Sequence, residues 1–170
     1  DKKGYGKAEN LFCGTYRVKE LSAPEGYLTD EKEYVVTIPE AEEDSTQLKI
    51  LINSKEKPIR GDVSLTKLLK EDQEEDGFKK PGAGISFTFT EVGNEKNQVT
   101  ITTDKNGYAS TKDEKYPQGR LLYGTYRVKE SNTPQGYTPA APFEITIKEK
   151  NQTLYYILEN DEILCPVKIV

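Results

Sequence analysis

The heptapeptide GTYRVKE occurs at residues 14–20 and again at 124–130, and each copy is followed by a Pro-x-Gly-Tyr. Side chains of a strand alternate between two faces, so Tyr16, Val18 and Glu20 share one face while Thr15, Arg17 and Lys19 share the other. Tyr126, Val128 and Glu130 repeat the arrangement. A chain that writes the same strand twice is expected to build the same unit twice. In both copies the glutamate falls on the apolar face, where a carboxylate is costly unless it is paired, hydrogen-bonded or protonated. Its recurrence asks for a chemical reason.

The repeat extends well beyond seven residues. DKKGYGKAENLFCGTYRVKELSAPEGY (1–27) parallels DKNGYASTKDEKYPQGRLLYGTYRVKESNTPQGY (104–137), the second copy being longer in its middle. After each come a strand, a polar turn, another strand and an asparagine, Asn53 or Asn160. This alignment makes 58–160 a complete unit and 1–57 the C-terminal part of a first one. The tail CPVKIV (165–170) matches GDVSL (61–65), so 161–170 reads as a linker and the first strand of a following unit. The whole is expected to be a window on a tandem array.

Between Gly-, Pro- and Asn-rich turns lie short strand-like runs: EYVVTI (33–38), LKILIN (48–53), DVSLTK (62–67), ISFTFTEV (85–92), QVTITT (98–103), FEITI (143–147) and TLYYILEN (153–160). Ile85, Phe87 and Phe89 alternate with Ser86, Thr88 and Thr90, and Phe143, Ile145 and Ile147 with Glu144 and Thr146. The pattern predicts an all-β chain of tandem β-sandwich domains. Only KLLKEDQEEDGFKK (67–80) offers room for a turn of helix.

Composition narrows the function. A mixed charge of 24 basic against 29 acidic residues disfavours a nucleic acid or an anionic membrane as partner. With no histidine, the commonest general base and metal ligand is missing, and Cys13 and Cys165 lie too far apart to make a metal-binding pattern. No metal and no cofactor is expected. No apolar run approaches membrane-spanning length, so no membrane insertion is expected in this segment.

Taken together, VSLTK, KPGAGISFTFTEV, TTDKNGYA, GTYRVKESNTPQGY and a last strand closing on Asn160 resemble the Cna-B (SpaA-like, transthyretin-like) domains of Gram-positive surface adhesins and pilins. The E-box, here YRVKELSAPEGY and YRVKESNTPQGY, is the specific part of the match. The resemblance implies an autocatalytic isopeptide bond between a first-strand lysine and a last-strand asparagine, assisted by the E-box acid: Lys67, Asn160 and Glu130. Parity agrees, because Val63, Leu65 and Lys67 share a face, as do Leu154, Tyr156, Leu158 and Asn160. Burial is expected to lower the lysine pKa and raise that of the glutamate, giving a neutral amine beside a protonated acid. In the first unit Glu20 takes the place of the acid and Asn53 is the candidate crosslink partner, although parity sets Asn53 with Lys49 and Leu51.

Other features compete for a role. Arg60-Gly61-Asp62 spells an integrin-binding tripeptide, but Gly and Asp at the start of a strand suit a turn. DKNGY (104–108) lacks the spaced carboxylates of a calcium loop and reads as a hairpin turn. The 11 tyrosines could form a carbohydrate-binding platform, but most lie in the E-boxes or on inward strand positions, where packing explains them. The resemblance implies a structural stalk segment, extracellular and attached to the cell wall, whose partners are neighbouring domains of the same protein. The alternative is a ligand-binding adhesin module recognising a host extracellular matrix protein. Both put the segment outside the class of turnover enzymes.

Overall fold

The computed structural model describes residues 4–40, 50–71 and 79–164. The chain divides into two compact units, Asp1–Lys57 and Pro58–Val170, and every regular element among the described residues is a strand. The first unit holds β1 (Gly14–Lys19), β2 (Tyr27–Leu28) and β3 (Glu33–Ile38). β1 and β3 form an antiparallel pair in which Gly14 faces Ile38 and Lys19 faces Glu33. β4 (Lys57–Pro58) lies at the boundary between the units.

The second unit is a sandwich of two sheets. One is built around β5 (Arg60–Lys70), flanked by β10 (Leu121–Leu122) and β13 (Gln152–Asp161), with β6 (Lys79–Pro81) and β9 (Tyr108–Ser110) also paired to β5. The other runs in the order β12 (Phe143–Ile147), β11 (Gly124–Glu130), β7 (Ser86–Glu91), β8 (Asn94–Thr102). Alternation along these strands supplies the core between the sheets: Val63, Leu65 and Leu69 from β5, Phe87 and Phe89 from β7, Tyr126 and Val128 from β11, Ile145 and Ile147 from β12. Leu154, Tyr156 and Leu158 of β13 pack against it from the edge.

The pairing of the first long strand with the last sets the inner face of this sheet. β5 and β13 run parallel, with Lys67 opposite Leu158 and Leu69 opposite Asn160. Lys67 and Asn160 are therefore diagonal neighbours on the inner face of a single sheet.

Several sequence expectations are redrawn by the structure. Ile50–Asn53 belongs to no strand, and residues 48–49 lie outside the described residues. Lys67–Lys70, the start of the run with room for a helical turn, is strand, because Leu68 and Leu69 pair with Pro81 and Lys80; residues 72–78 are outside the description. Arg60-Gly61-Asp62 is not a turn but the opening of β5. A Cβ on Gly61 would stand 2.7 Å from the Gln152 carbonyl oxygen, so glycine is there to let two strands approach. Asp104–Gly107 is the turn that DKNGY suggests, with Asp104 Oδ1 accepting from the Asn106 and Tyr108 N–H groups. CPVKIV lies outside the described residues.

Candidate functional site

Glu130 ends β11 in one sheet, while Lys67 and Asn160 sit on β5 and β13 of the other, so three polar side chains meet inside the sandwich. Lys67 is fully buried, Asn160 is 1% exposed and Glu130 6%. Lys67 Nζ donates to Asn160 Oδ1. The same nitrogen lies 3.3 Å from Glu130 Oε2, and Asn160 Nδ2 donates to Glu130 Oε1 at 2.7 Å. The three groups form a closed triangle. Two further donors complete the carboxylate: the Thr133 hydroxyl on Oε1 at 2.8 Å and the Ala140 N–H on Oε2 at 3.1 Å.

Local backbone holds the lysine in place. Its N–H donates to the Gly107 carbonyl at 2.7 Å and its carbonyl accepts from the Gly82 N–H at 2.9 Å. A Cβ on Gly82 would fall 2.7 Å from Lys67 Cγ, so the PGAG loop can close over the lysine stem only as glycine. The ammonium sits 6.0 Å from the centre of the Phe87 ring.

The electrostatics are set by this packing. Burial pushes Lys67 below the usual lysine value, and the facing Glu130 carboxylate only partly restores it. Burial also pushes Glu130 up, but the donors from Asn160, Thr133 and Ala140, together with the Lys67 charge, outweigh it and hold the carboxyl below its ordinary value. The sequence-based expectation of a raised glutamate pKa thus fails, because it counted desolvation and not four converging donors. Glu130 meets the asparagine at its nitrogen, and Lys67 meets it at its carbonyl oxygen.

In the first unit Glu20 is half-buried, and its Oε2 accepts from the Asp30 N–H. Burial, and then the charge of Glu20 and a hydrogen bond to it, raise the pKa of Glu56. Asn53 is exposed, and its carbonyl accepts from the Tyr34 hydroxyl at 3.5 Å. Asp30 Oδ2 takes hydrogen bonds from Tyr34 and Ser54. The groups described around Glu20 are thus the Asp30 N–H, the Glu56 carboxyl and, by its charge, the Tyr34 phenol.

Sequence reasoning missed Thr133, Ala140 and Gly82. Thr133 stands where the first E-box has Ala23, one of several positions at which the two E-boxes differ. The Asp62 carboxylate is buried and accepts from the Thr111 hydroxyl and the Arg120 N–H, so the Arg-Gly-Asp tripeptide does not present its acid to a partner. Tyr5, Tyr27, Tyr108, Tyr116 and Tyr155 are exposed, while Tyr126 is buried in the core. Cys13 is exposed with a free thiol, and Cys165 is outside the described residues. Among the described residues no cluster of His, Cys, Asp or Glu is arranged to hold a metal ion, and no helix is long and apolar enough to cross a membrane.

Comparison with solved structures gives the fold a context. The TIE protein of Bacillus anthracis superposes with a TM-score of 0.68 at 24% identity over 91% of this chain, which spans 26% of that protein. GBS52, a minor pilin of Streptococcus agalactiae, superposes with a TM-score of 0.51 at 20% identity, covering 100% of this chain and 69% of that one. No curated protein sequence matches significantly. The family model of the SpaA prealbumin-like fold domain matches residues 1–53 and again 64–162, taking in both E-boxes and the strands that carry Lys67 and Asn160. With nearly the whole chain matched in two successive copies, the protein belongs to the SpaA prealbumin-like fold domain family.

Proposed function

We propose that this chain is a stalk segment of a surface adhesin or pilin, displayed outside the wall of a Gram-positive bacterium, whose second unit ties Lys67 to Asn160 through an intramolecular isopeptide bond. The observation that carries the reading is the buried triangle of Lys67, Glu130 and Asn160, in which each group contacts the other two.

The chemistry balances within that triangle. Nζ passes a proton to Oε2, and the neutral amine attacks Asn160 Cγ. Glu130 gives a proton to Nδ2 and takes the next one from Nζ. The Nζ–Cγ bond forms, the Cγ–Nδ2 bond breaks, and the leaving nitrogen departs as ammonia, taking the last proton from Glu130 as ammonium. Three groups already in contact inside a dry core need no encounter, and the carboxyl relays protons without solvent. It is a single turnover, after which Lys67 is an amide.

The topology gives the bond a purpose. β5 enters the unit and β13 leaves it, side by side and parallel. Tension applied at the two ends would run into Lys67, across the bond and out at Asn160, bypassing the intervening sandwich. Residues 1–57 carry the elements of the second half of the same domain, and neighbouring domains of the parent protein are the proposed partners. The buried Asp62 removes the most direct sequence argument for the alternative, an adhesin module gripping a host matrix protein.

Intact mass of the folded chain tests the reading: loss of one ammonia is expected, with a proteolytic fragment joining the Lys67 and Asn160 peptides. A folded chain at full mass overturns it.

A further inference from the structure

The Glu130 carboxyl must keep its two oxygens on two different nitrogens, Oε1 on Asn160 and Oε2 on Lys67. The terminal torsion of a glutamate is soft, so side-chain geometry alone does not enforce this. The Ala140 N–H fixes Oε2 at 3.1 Å. Oε1 has two donors: the amide nitrogen of Asn160, which the reaction expels, and the Thr133 hydroxyl at 2.8 Å. Once ammonia has left, the hydroxyl is the donor that remains on a buried oxygen, and an unsatisfied buried acceptor is expensive.

Resting on the crosslink reading, we propose that Thr133 is a positioning residue for this reaction: its hydroxyl pins Glu130 Oε1 so that Oε2 stays on Lys67, and keeps that oxygen hydrogen-bonded in the product. Thr133 lies three residues past Glu130, where the chain turns out of β11 toward Pro134. The first E-box has Ala23 in its place, so the backbone turn does not need the hydroxyl: Tyr27 N–H reaches the Pro24 carbonyl at 3.1 Å there, and Tyr137 N–H reaches the Pro134 carbonyl at 3.2 Å here. What differs is the acid's second partner.

The test uses the full chain, made in a cell-free system, chased at a series of pH values and quenched in acid, with loss of ammonia followed by intact mass. T133V keeps the shape and loses the donor. It is expected to crosslink about tenfold more slowly, as loss of a hydrogen bond to a charged group implies, while T133S stays within about threefold of the parent. Losing that donor also lets the Glu130 carboxyl rise, so the acid limb of the rate profile should move to higher pH in T133V and not in T133S. A merely structural role would not move that limb. Equal rates and equal profiles for the parent and T133V overturn the proposal, as do equally slow T133V and T133S. Should T133V fail to fold, T133A against T133S carries the same comparison. A parent chain that folds and never loses ammonia overturns the crosslink reading and this inference together, whereas a reactive parent with an indifferent T133V overturns this inference alone.

Discussion

The chain contains one strand sequence in two settings, β1 in the first unit and β11 in the second. Their local structures agree in detail. Gly14 and Gly124 both adopt φ 145°, and Gly26 and Gly136 adopt 85° and 88°. Thr15 meets Thr37 at 3.3 Å as Thr125 meets Thr146 at 3.2 Å. Tyr16 donates to the Phe12 carbonyl as Tyr126 does to that of Leu122, each four residues back. Glu20 and Glu130 each accept the N–H ten residues on, from Asp30 and Ala140. The surroundings do not agree. β11 is paired on both sides, by β12 and β7, and faces the second sheet, whereas among the described residues β1 pairs with β3. Val128 is fully buried and Val18 is 42% exposed. Burial pushes the Tyr126 phenol up to about 12. The two copies keep the same local hydrogen bonds, and in the second unit the opposing sheet supplies burial and the Lys67 and Asn160 side chains that meet Glu130.

The sharpest way to separate the two settings is to remove the acid from each. Glu130→Ala should abolish the proposed crosslink, and with it the closure of a loop spanning 93 residues. By loop-closure entropy that lost tie is worth about 4–5 kcal/mol in the second unit. Glu20→Ala touches a half-buried group and should cost under about 1 kcal/mol. Chemical denaturation of the full chain, with intact mass to score the bond, measures both; equal effects at the two sites would mean that the glutamates do the same structural job.

A smaller contrast comes from packing alone. Val128→Ala removes two methyl groups from a fully buried site and should destabilise the second unit by about 2–3 kcal/mol. Val18→Ala should cost less than about 1 kcal/mol, because its side chain already meets solvent. Native-state hydrogen exchange resolves β1 and β11 in one sample and reads each loss separately. Comparable losses would show that the face of β1 is covered as fully in solution as that of β11.

The same contrast explains what the sequence made legible. Period-two alternation marks Phe87, Phe89, Ile145 and Ile147 as inward, and all four are core. Parity also placed Lys67, Glu130 and Asn160 on inner faces, because each follows apolar residues at even spacing. What it missed depends on contacts distant in the chain. Ile50–Asn53 has the composition of the last strand, but a strand needs a partner, and β13 has β5. The Glu130 carboxyl is held below its ordinary value by the Asn160 amide, 30 residues on in the other sheet, and then by Thr133 and Ala140 in a loop that no alternation describes. Gly61 reads as a turn residue until the Gln152 carbonyl beside it is known.

The smallest expected difference tests the local half of the comparison. Gly14 and Gly124 both sit at φ 145°, a region that L side chains rarely adopt, so alanine at either should carry a backbone cost of order 1–3 kcal/mol. Space does not distinguish them: a Cβ at Gly14 meets nothing within 4 Å, and one at Gly124 makes an ordinary contact with Glu91 Oε1 at 3.5 Å. If each strand start is fixed by its own sequence, Gly14→Ala and Gly124→Ala should lower the protection of β1 and β11 by the same amount, within about 0.5 kcal/mol. The measurement is again hydrogen exchange on the two strands of one chain. A much larger loss at Gly124 would mean that the sandwich imposes the backbone there and that the resemblance of the first copy has another cause. A matched loss would leave burial, and the chemistry that burial permits, as the property by which the second unit departs from the first.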